Sequence, residues 1–563
     1  MNILFIVPLN ESYYDVVGIS NEKEWERKKR ASANTKKMQM IHPNGLLSIA
    51  AYIQRFLPSS TIKILDFNII IGMYADMINV GKVHHSREAF WEFSFSELDG
   101  FTPSLIGISS LFCSTFYDLN PLAEFVKLKY NECLITCGGH LPSSCYEEIF
   151  EDGNAIDAIC FGEGEIPFME LSNVLVSGEA GSVYEYLDRN DYWITAEKLK
   201  TDDFKPNGKL IHNLDEIPPY DLNVIIRKDG YARYMVDLFS LVEQEETNPL
   251  TIFTTRGCHG RCVFCASQHV HGHKLRSYSA ERIKQDVLFY REKFGINQFI
   301  FYDDHFLANK DRASEILEFM ISNNICSRVS NVAFFSVDDK IAKLLRRAGN
   351  ENILICVENG NEETLKNIIR KPANLAKAKT AIQCLRDAGV TVYSNILFGL
   401  PGETKESIDK GIQGLLDLGC DWYLCFVAAP LPGSEMYDIC KKNDYLLKDT
   451  DVFKMDFKKC VIRTPDFDPE YIEWKVYEAN LYVNFVNNYN LRMENYEVAL
   501  ILFERVINLV IDTHAFAYYY AAVCARNLGQ TDKFSGYSKK YNELIDEYEF
   551  WENWAAYFKL APL

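Results

Sequence analysis

The chain has 563 residues, of which 48% are hydrophobic, 13% aromatic and 24% charged, and its formal charge is -19. At about 150 residues per domain this makes three or four units of ordinary globular composition, which excludes a disordered or low-complexity protein. The acidic balance argues against nonspecific binding to nucleic acid or to an anionic membrane, and favours a small-molecule or peptide partner.

Met1-Asn-Ile-Leu-Phe-Ile-Val-Pro8 has neither a positive leader nor a small-residue cleavage site, so it reads as a first strand rather than a signal peptide. The apolar run nearest to a membrane span, Gly45 to Leu57, is broken by Gln54 and Arg55. Sixteen cysteines without regular spacing look like reduced, buried thiols. Together these signs predict a soluble, cytoplasmic protein.

From Met1 to about Ser177, β-rich runs alternate with helical stretches. Ile3 to Val7, Ile62 to Asp66, Leu105 to Ser109, Leu134 to Cys137 and Ala158 to Phe161 read as strands, with helices at Gly45 to Phe56 and near Leu122 to Leu128. The pattern predicts a doubly wound, Rossmann-like parallel sheet over residues 1–177, which binds ligands at the C-terminal ends of its strands. Two glycine turns fall there, Gly138-Gly139-His140 and Gly162-Glu163-Gly164-Glu165, where missing side chains let a cofactor approach the backbone. Residues 22–37 carry seven Lys and Arg and read as a solvated face. Residues 178–245, with Pro206, Pro218 and Pro219, read as a connector over the surface.

A second βα series fills residues 246–450, with strands near Thr251 to Thr254, Gln298 to Tyr302, Val332 to Ser336, Ile353 to Val357, Thr391 to Phe398 and Tyr423 to Ala428. Helical spacing between them gives six units and predicts a partial (β/α)6 barrel, open on one side. Residues 451–563 have helical patterns only, and Tyr496 to Val510 with Ala515 to Leu528 resembles one tetratricopeptide-type pair, which must pack on the barrel to bury its face.

The chemistry concentrates at Thr254-Thr-Arg-Gly-Cys258-His-Gly-Arg-Cys262-Val-Phe-Cys265, three thiolates in eight residues on a loop that follows a strand. Soft thiolates select iron–sulfur clusters, zinc or copper(I). A structural zinc site needs a fourth ligand, for which His259, His269, His271 and His273 are near in sequence, but a zinc knuckle does not ordinarily open a six-unit barrel. Cys420, Cys425, Cys440 and Cys460 are too irregular to read as an auxiliary cluster.

Residues 250–440 resemble the radical S-adenosylmethionine superfamily through this triad, Arg276-Ser277, Tyr302-Asp303-Asp304-His305-Phe306, Val357-Glu358-Asn359-Gly360, Phe398-Gly399-Leu-Pro-Gly-Glu403 and Pro430-Leu-Pro-Gly433. Residues 1–175 resemble the cobalamin-binding domain that precedes the barrel in the cobalamin-dependent class, through His42-Pro-Asn-Gly45, Ile64-Leu-Asp66 and the two glycine turns. The resemblance implies a 4Fe-4S cluster on Cys258, Cys262 and Cys265, and S-adenosylmethionine bound near Asp303 or Asp304 (methionyl amine), Glu358 (ribose) and the turn from Gly399 to Glu403 (adenosine). It implies cobalamin, carried as methylcobalamin, near Gly138, Gly139, His140, Gly162, Glu163, Gly164 and Glu165. His42 has the spacing of a lower cobalt ligand, but Met40 stands where the supporting aspartate belongs.

The activity implied is radical methylation of an unactivated carbon, with an electron donor such as flavodoxin or ferredoxin. A cobalamin-using cyclase, ring-contraction or rearrangement enzyme shares the same motifs, and a metal-containing binding protein is a reading from another class.

Overall fold

The computed structural model describes every residue except 18–37, 41, 80, 84, 154, 179–182, 202, 228–234 and 238–248, so the charge run of residues 22–37 lies outside the described residues. The strands in chain order are β1 (Asn2–Val7), β2 (Met38–Met40), β3 (Thr61–Asp66), β4 (Leu105–Ser109), β5 (Leu134–Gly138), β6 (Ala158–Cys160), β7 (Trp193–Ile194) and β8 (Met235–Asp237), followed by β9 (Leu250–Ile252), β10 (Thr255–Arg256), β11 (Arg276–Ser277), β12 (Gln298–Phe301), β13 (Cys326–Val329), β14 (Asn352–Glu358), β15 (Thr391–Phe398) and β16 (Trp422–Val427).

The first unit is a six-stranded sheet in the order β3-β1-β4-β5-β6-β7, parallel except for β7, with β2 and β8 forming a separate parallel pair. Its central strands are apolar on both faces (Ile3, Leu4, Phe5 and Ile6 are all buried), as a sheet covered by helices on both sides requires. The predicted doubly wound architecture is what the chain adopts.

The second unit places β9, β12 and β13 in one parallel sheet and β14, β15 and β16 in another. A single parallel bridge, Val332 to Ile355, links the two halves, giving six strands in sequence order with β9 and β16 outermost. Each barrel helix begins on a short polar side chain that accepts a backbone N–H of its first turn: Ser279, Asn309, Asp338, Asn374 and Thr404. The third strand corrects the sequence reading. Val332 to Ser336 is apolar and aromatic, but it supplies only the bridge residue and a 3-10 turn (Phe334–Ser336), while the strand is the more polar Cys-Ser-Arg-Val of β13.

Residues 178–245 do more than wrap the surface. β7 completes the first sheet, and Ile211, Leu214, Ile217, Tyr220, Leu222 and Ile225 are buried in one hydrophobic core that runs from that sheet into the barrel. Here spaced apolar residues without periodicity fill the joint between two units, a pattern a sequence reading takes for a loop.

The C-terminal region is helical, as expected, and covers the β16 edge. Asn484, fully buried, accepts the Tyr423 N–H and donates to the Tyr423 carbonyl, both at 2.7 Å, thereby satisfying the backbone of an otherwise open strand. Trp422 packs edge-on against Phe485 and Phe503. The pair Tyr496–Arg505 and Ala515–Asn527 is extended by a third helix, Thr531–Glu547, through Tyr519 and Tyr541. All sixteen cysteines are free thiols, and no helix among the described residues is long and apolar enough to cross a membrane.

Candidate active site between the barrel and the doubly wound sheet

The cysteine loop leaves β10 and returns at β11, which pairs antiparallel with β10. Gly257, at φ +77°, makes the exit turn, where a Cβ would stand 2.7 Å from the Lys274 carbonyl. A Cβ at Gly260 would stand 3.4 Å from Cys258 Sγ and 3.8 Å from Cys262 Sγ, so both sulfurs lie beside this glycine on the loop. The loop is anchored in the barrel: Val263 N–H donates to the Ile369 carbonyl at 3.1 Å, and the Val263 carbonyl accepts Met436 N–H at 2.8 Å.

Burial raises the Cys262 thiol and pushes that of Cys265 up to about 11, with the neighbouring triad thiols adding to both shifts. Three thiols this close resist joint ionisation unless a cation joins them, and soft, partly exposed sulfurs on a curled loop fit an iron–sulfur cubane. Among the described residues no three His, Cys, Asp or Glu side chains are placed to hold a single metal ion, whereas a cubane spreads its thiolates over separate corners.

Asp303 and Asp304, adjacent at the end of β12, have different surroundings. Asp303 is buried and accepts Thr254 N–H at 2.6 Å, Thr255 N–H at 2.5 Å and the hydroxyls of Thr254 and Thr255 at 2.8 and 3.0 Å. Burial pushes its carboxyl up to about 6, against Arg312 and these donors. It braces the strand that delivers the cysteines. Asp304 is exposed and accepts the Ser267 hydroxyl at 2.8 Å, just past Cys265. Asp303→Ala, which orphans two buried N–H groups, is expected to cost about 2–4 kcal/mol. Asp303→Asn keeps the shared acceptor oxygen and should cost less than about 1 kcal/mol. Urea unfolding of both variants checks this, and equal losses contradict the brace.

Glu358 ends β14 at φ +75°, a strained conformation for this side chain, and pairs with Lys371 at 3.0 Å, both side chains 9% exposed. Lys371 follows a π-helical turn, Thr364–Ile369, and Arg370 at φ +62°. Burial lowers its ammonium, but Glu358, Cys356 and Cys262 raise it overall, so a buried cation stands beside the cysteine triad. Cys356 shares these neighbours, and its thiol is pushed up to about 12 by burial. Neither Lys371 nor Cys356 belongs to a motif. Lys371 comes into place only through the π turn, for which the sequence carries no signal.

Glu403 is an internal turn brace. It accepts N–H of Gly399 and Leu400, both at 2.9 Å, and Asn359 Nδ2 at 3.1 Å, while Gly399 packs on Ile472 of the helical tail. Burial pushes its carboxyl up to about 7. An unfolded glutamate titrates near ~4.3, so the folded state holds an extra proton between the two values. Its contribution to stability is therefore complete below pH ~4.3 and is lost as pH rises through about 7. Glu403→Gln should flatten this part of the stability curve, and an unchanged slope in urea midpoints from roughly pH 5 to pH 8 contradicts it.

The C-terminal edge of the doubly wound sheet faces the C-terminal edge of the barrel. His269 Nε2 donates to the Ser143 carbonyl at 2.9 Å, and Gly433 of the Pro430–Gly433 loop lies against Ser144 and His140. His140 is lowered to about 4 by burial, with His269 adding to the shift, while its hydrogen bond to the Pro432 backbone opposes it. Gly139, at φ +108°, packs on the Ser110 backbone, Gly138 lies near Cys160, and Gly162 faces Val270 and Gly208. Gly164 packs on Ile49. Glu163 and Glu165 point to Arg276 and Arg256 of the cysteine-bearing ribbon.

His42 Nδ1 accepts Thr251 N–H at 3.4 Å, and burial lowers the ring to about 3, with Arg227 adding to the shift. On this same edge, Leu111, Phe112 and Tyr14 are 55, 42 and 46% exposed. Large apolar side chains held open at the ligand edge fit the bulky rim of a corrin, and the glycine turns around them fit the fold that carries one.

Three soft thiolates at the mouth of a partial barrel, faced by the ligand edge of a doubly wound sheet, define a two-cofactor radical enzyme. Residues 252–413 match the family model of the radical SAM superfamily and residues 38–172 that of the B12 binding domain, so the chain carries a radical SAM domain with a B12-binding domain ahead of it. It is 25% identical over 492 residues to cytidylyl-2-hydroxyethylphosphonate methyltransferase of Streptomyces wedmorensis, covering 80% of this chain and 87% of that protein. It is 23% identical to the anaerobic magnesium-protoporphyrin IX monomethyl ester cyclase of Rubrivivax gelatinosus, covering 76 and 73%. Among solved structures it resembles the cobalamin-dependent S-adenosylmethionine radical enzyme OxsB, with a TM-score of 0.59 and 14% identity, covering 99 and 80%. The radical SAM domain implies a 4Fe-4S cluster and S-adenosylmethionine, and the other domain implies cobalamin.

Proposed function

We propose that the protein is a cobalamin-dependent radical S-adenosylmethionine C-methyltransferase whose small-molecule or peptide substrate lies between the two facing edges. The observation that carries this reading is the apposition of the Cys258, Cys262 and Cys265 loop to the Gly139 and Gly162 turns, supported by the two family models. When bound, the cluster with S-adenosylmethionine supplies a hydrogen-abstracting radical and the corrinoid supplies the methyl group.

The chain's residues bind and orient. The three cysteines hold the cluster, and Asp303 keeps their strand in place. Exposed Asp304 is available to the methionyl amine and Glu358 to the ribose, while the Glu403-braced turn borders the adenosine. Lys371 balances thiolate charge. His42, with Nδ1 engaged by Thr251, serves the joint between the units rather than cobalt. The enzyme works in the cytoplasm with an electron donor such as flavodoxin or ferredoxin.

Anaerobic protein loaded with cluster and cobalamin, given methyl-deuterated S-adenosylmethionine and a reductant, should yield trideuteromethylcobalamin on extraction and mass analysis. Release of 5'-deoxyadenosine with no labelled corrinoid overturns methyl transfer. It favours the cyclisation or rearrangement reading, to which the name of the Rubrivivax relative points.

A further inference from the structure

A buried charge network joins the two facing edges. Arg256 and Arg276 are direct cross-strand partners on the β10–β11 ribbon, and Arg256 precedes Cys258 by two residues. Two guanidiniums opposite each other in a buried ribbon repel unless carboxylates separate them. The carboxylates come from the other unit, in the turn after β6. Glu163 Oε1 accepts Arg276 Nη2 at 2.5 Å and His271 Nδ1 at 2.8 Å, while its Oε2 accepts Arg276 Nη1 at 2.9 Å and pairs with Arg256 Nη1 at 3.1 Å. Glu165 Oε1 takes Arg256 Nη2 at 2.6 Å and the Ser48 hydroxyl at 2.5 Å, and Ser48 Oγ accepts Arg256 Nη2 at 2.9 Å.

The side chains of Glu163 and Glu165 are each 3% exposed, and those of Arg256 and Arg276 are 10 and 7% exposed. Two guanidiniums and two carboxylates thus form one buried set, with the His271 ring, 34% exposed, at its rim. Burial would push the Glu163 carboxyl up, but Arg256, Arg276 and His271 together hold it well below the usual carboxylate range.

We infer that Glu163 and Glu165 are positioning residues, a latch that fixes the cysteine loop against the turn after β6 and so sets the spacing between cluster and corrin. This rests on the reading that the two cofactors occupy the facing edges. The latch acts through Arg256 and Arg276. It determines whether a radical made at the cluster side finds the substrate in register with the methyl donor, since small misplacements between reacting groups are costly. Holding the spacing with the bidentate Glu163–Arg276 pair fixes direction as well as distance, which a single lysine does not.

The test compares wild type with Glu163→Gln, Glu163→Asp and Glu165→Gln. In protein without cofactors, hydrogen exchange at residues 256–277 and 161–168 should speed up by about tenfold or more in Glu163→Gln, with Glu163→Asp and Glu165→Gln intermediate. In protein loaded with reduced cluster and cob(II)alamin, the magnetic coupling between the two spins should be single-valued in wild type and broadened or shifted in Glu163→Gln. Release of 5'-deoxyadenosine per methyl transferred should rise several-fold. Unchanged exchange and coupling, with only cobalamin content falling, overturns the latch and returns Glu163 to direct cofactor contact. If Glu163→Gln does not fold, Glu165→Gln, which leaves Glu163 with both arginines, decides by the same criteria. A wild type that takes up no cobalamin defeats the two-cofactor reading, and the exchange measurement still decides the latch.

Discussion

Cys262→Ala should yield a folded protein with no iron–sulfur absorbance and no detectable release of 5'-deoxyadenosine. Cys262 is the central cysteine of the triad, its sulfur lying beside Gly260 and within the field of Lys371. Two remaining cysteines can hold two irons of a cubane but not three, so the cluster is not retained. Cys262 is only partly buried on an anchored loop, so the fold should lose no more than about 1 kcal/mol. Iron and sulfide analysis after anaerobic reconstitution, with 5'-deoxyadenosine measured by mass spectrometry, checks both halves. A passive zinc protein, the reading from another class, gives no 5'-deoxyadenosine even in wild type.

Lys371→Met should destabilise the cofactor-free protein by about 3–5 kcal/mol, because it strands the buried Glu358 carboxylate at the strained end of β14. The penalty comes from the unpaired charge rather than from lost attraction. Glu358→Gln combined with Lys371→Met should therefore recover most of it. Denaturant unfolding of the two singles and the double gives the coupling directly. A loss below about 1 kcal/mol in Lys371→Met means that the pair is solvated and that Lys371 is not the buried cation of the cluster site.

How much of this was legible in the sequence depended on whether a residue's partners are local. Runs such as Ile3 to Val7, Leu105 to Ser109 and Thr391 to Phe398 are buried on account of their own composition, and they fold as the strands they read as. The cysteine triad was legible because its chemistry lies within eight residues. β13 was not, since Ser327 and Arg328 dilute its apolar pattern while the stronger run from Val332 is drawn into a turn.

The same distinction applies within the site. Asp303 and Asp304 are neighbours in sequence, yet one faces Thr254 and Thr255 at the end of the adjoining strand and the other faces Ser267. Glu163 and Glu165 read as part of a cofactor turn, but their partners lie about a hundred residues away on the cysteine ribbon. Lys371 needed a π turn to reach Glu358.

The most direct test of a two-cofactor site is a crystal of the loaded protein measured at the iron and cobalt absorption edges. Iron should appear at Cys258, Cys262 and Cys265, and cobalt at the C-terminal edge of β1, β4 and β5, facing the barrel mouth across the Glu163–Arg276 contact. Cobalt elsewhere on the molecule, or iron bound without cobalt, contradicts a substrate held between the two.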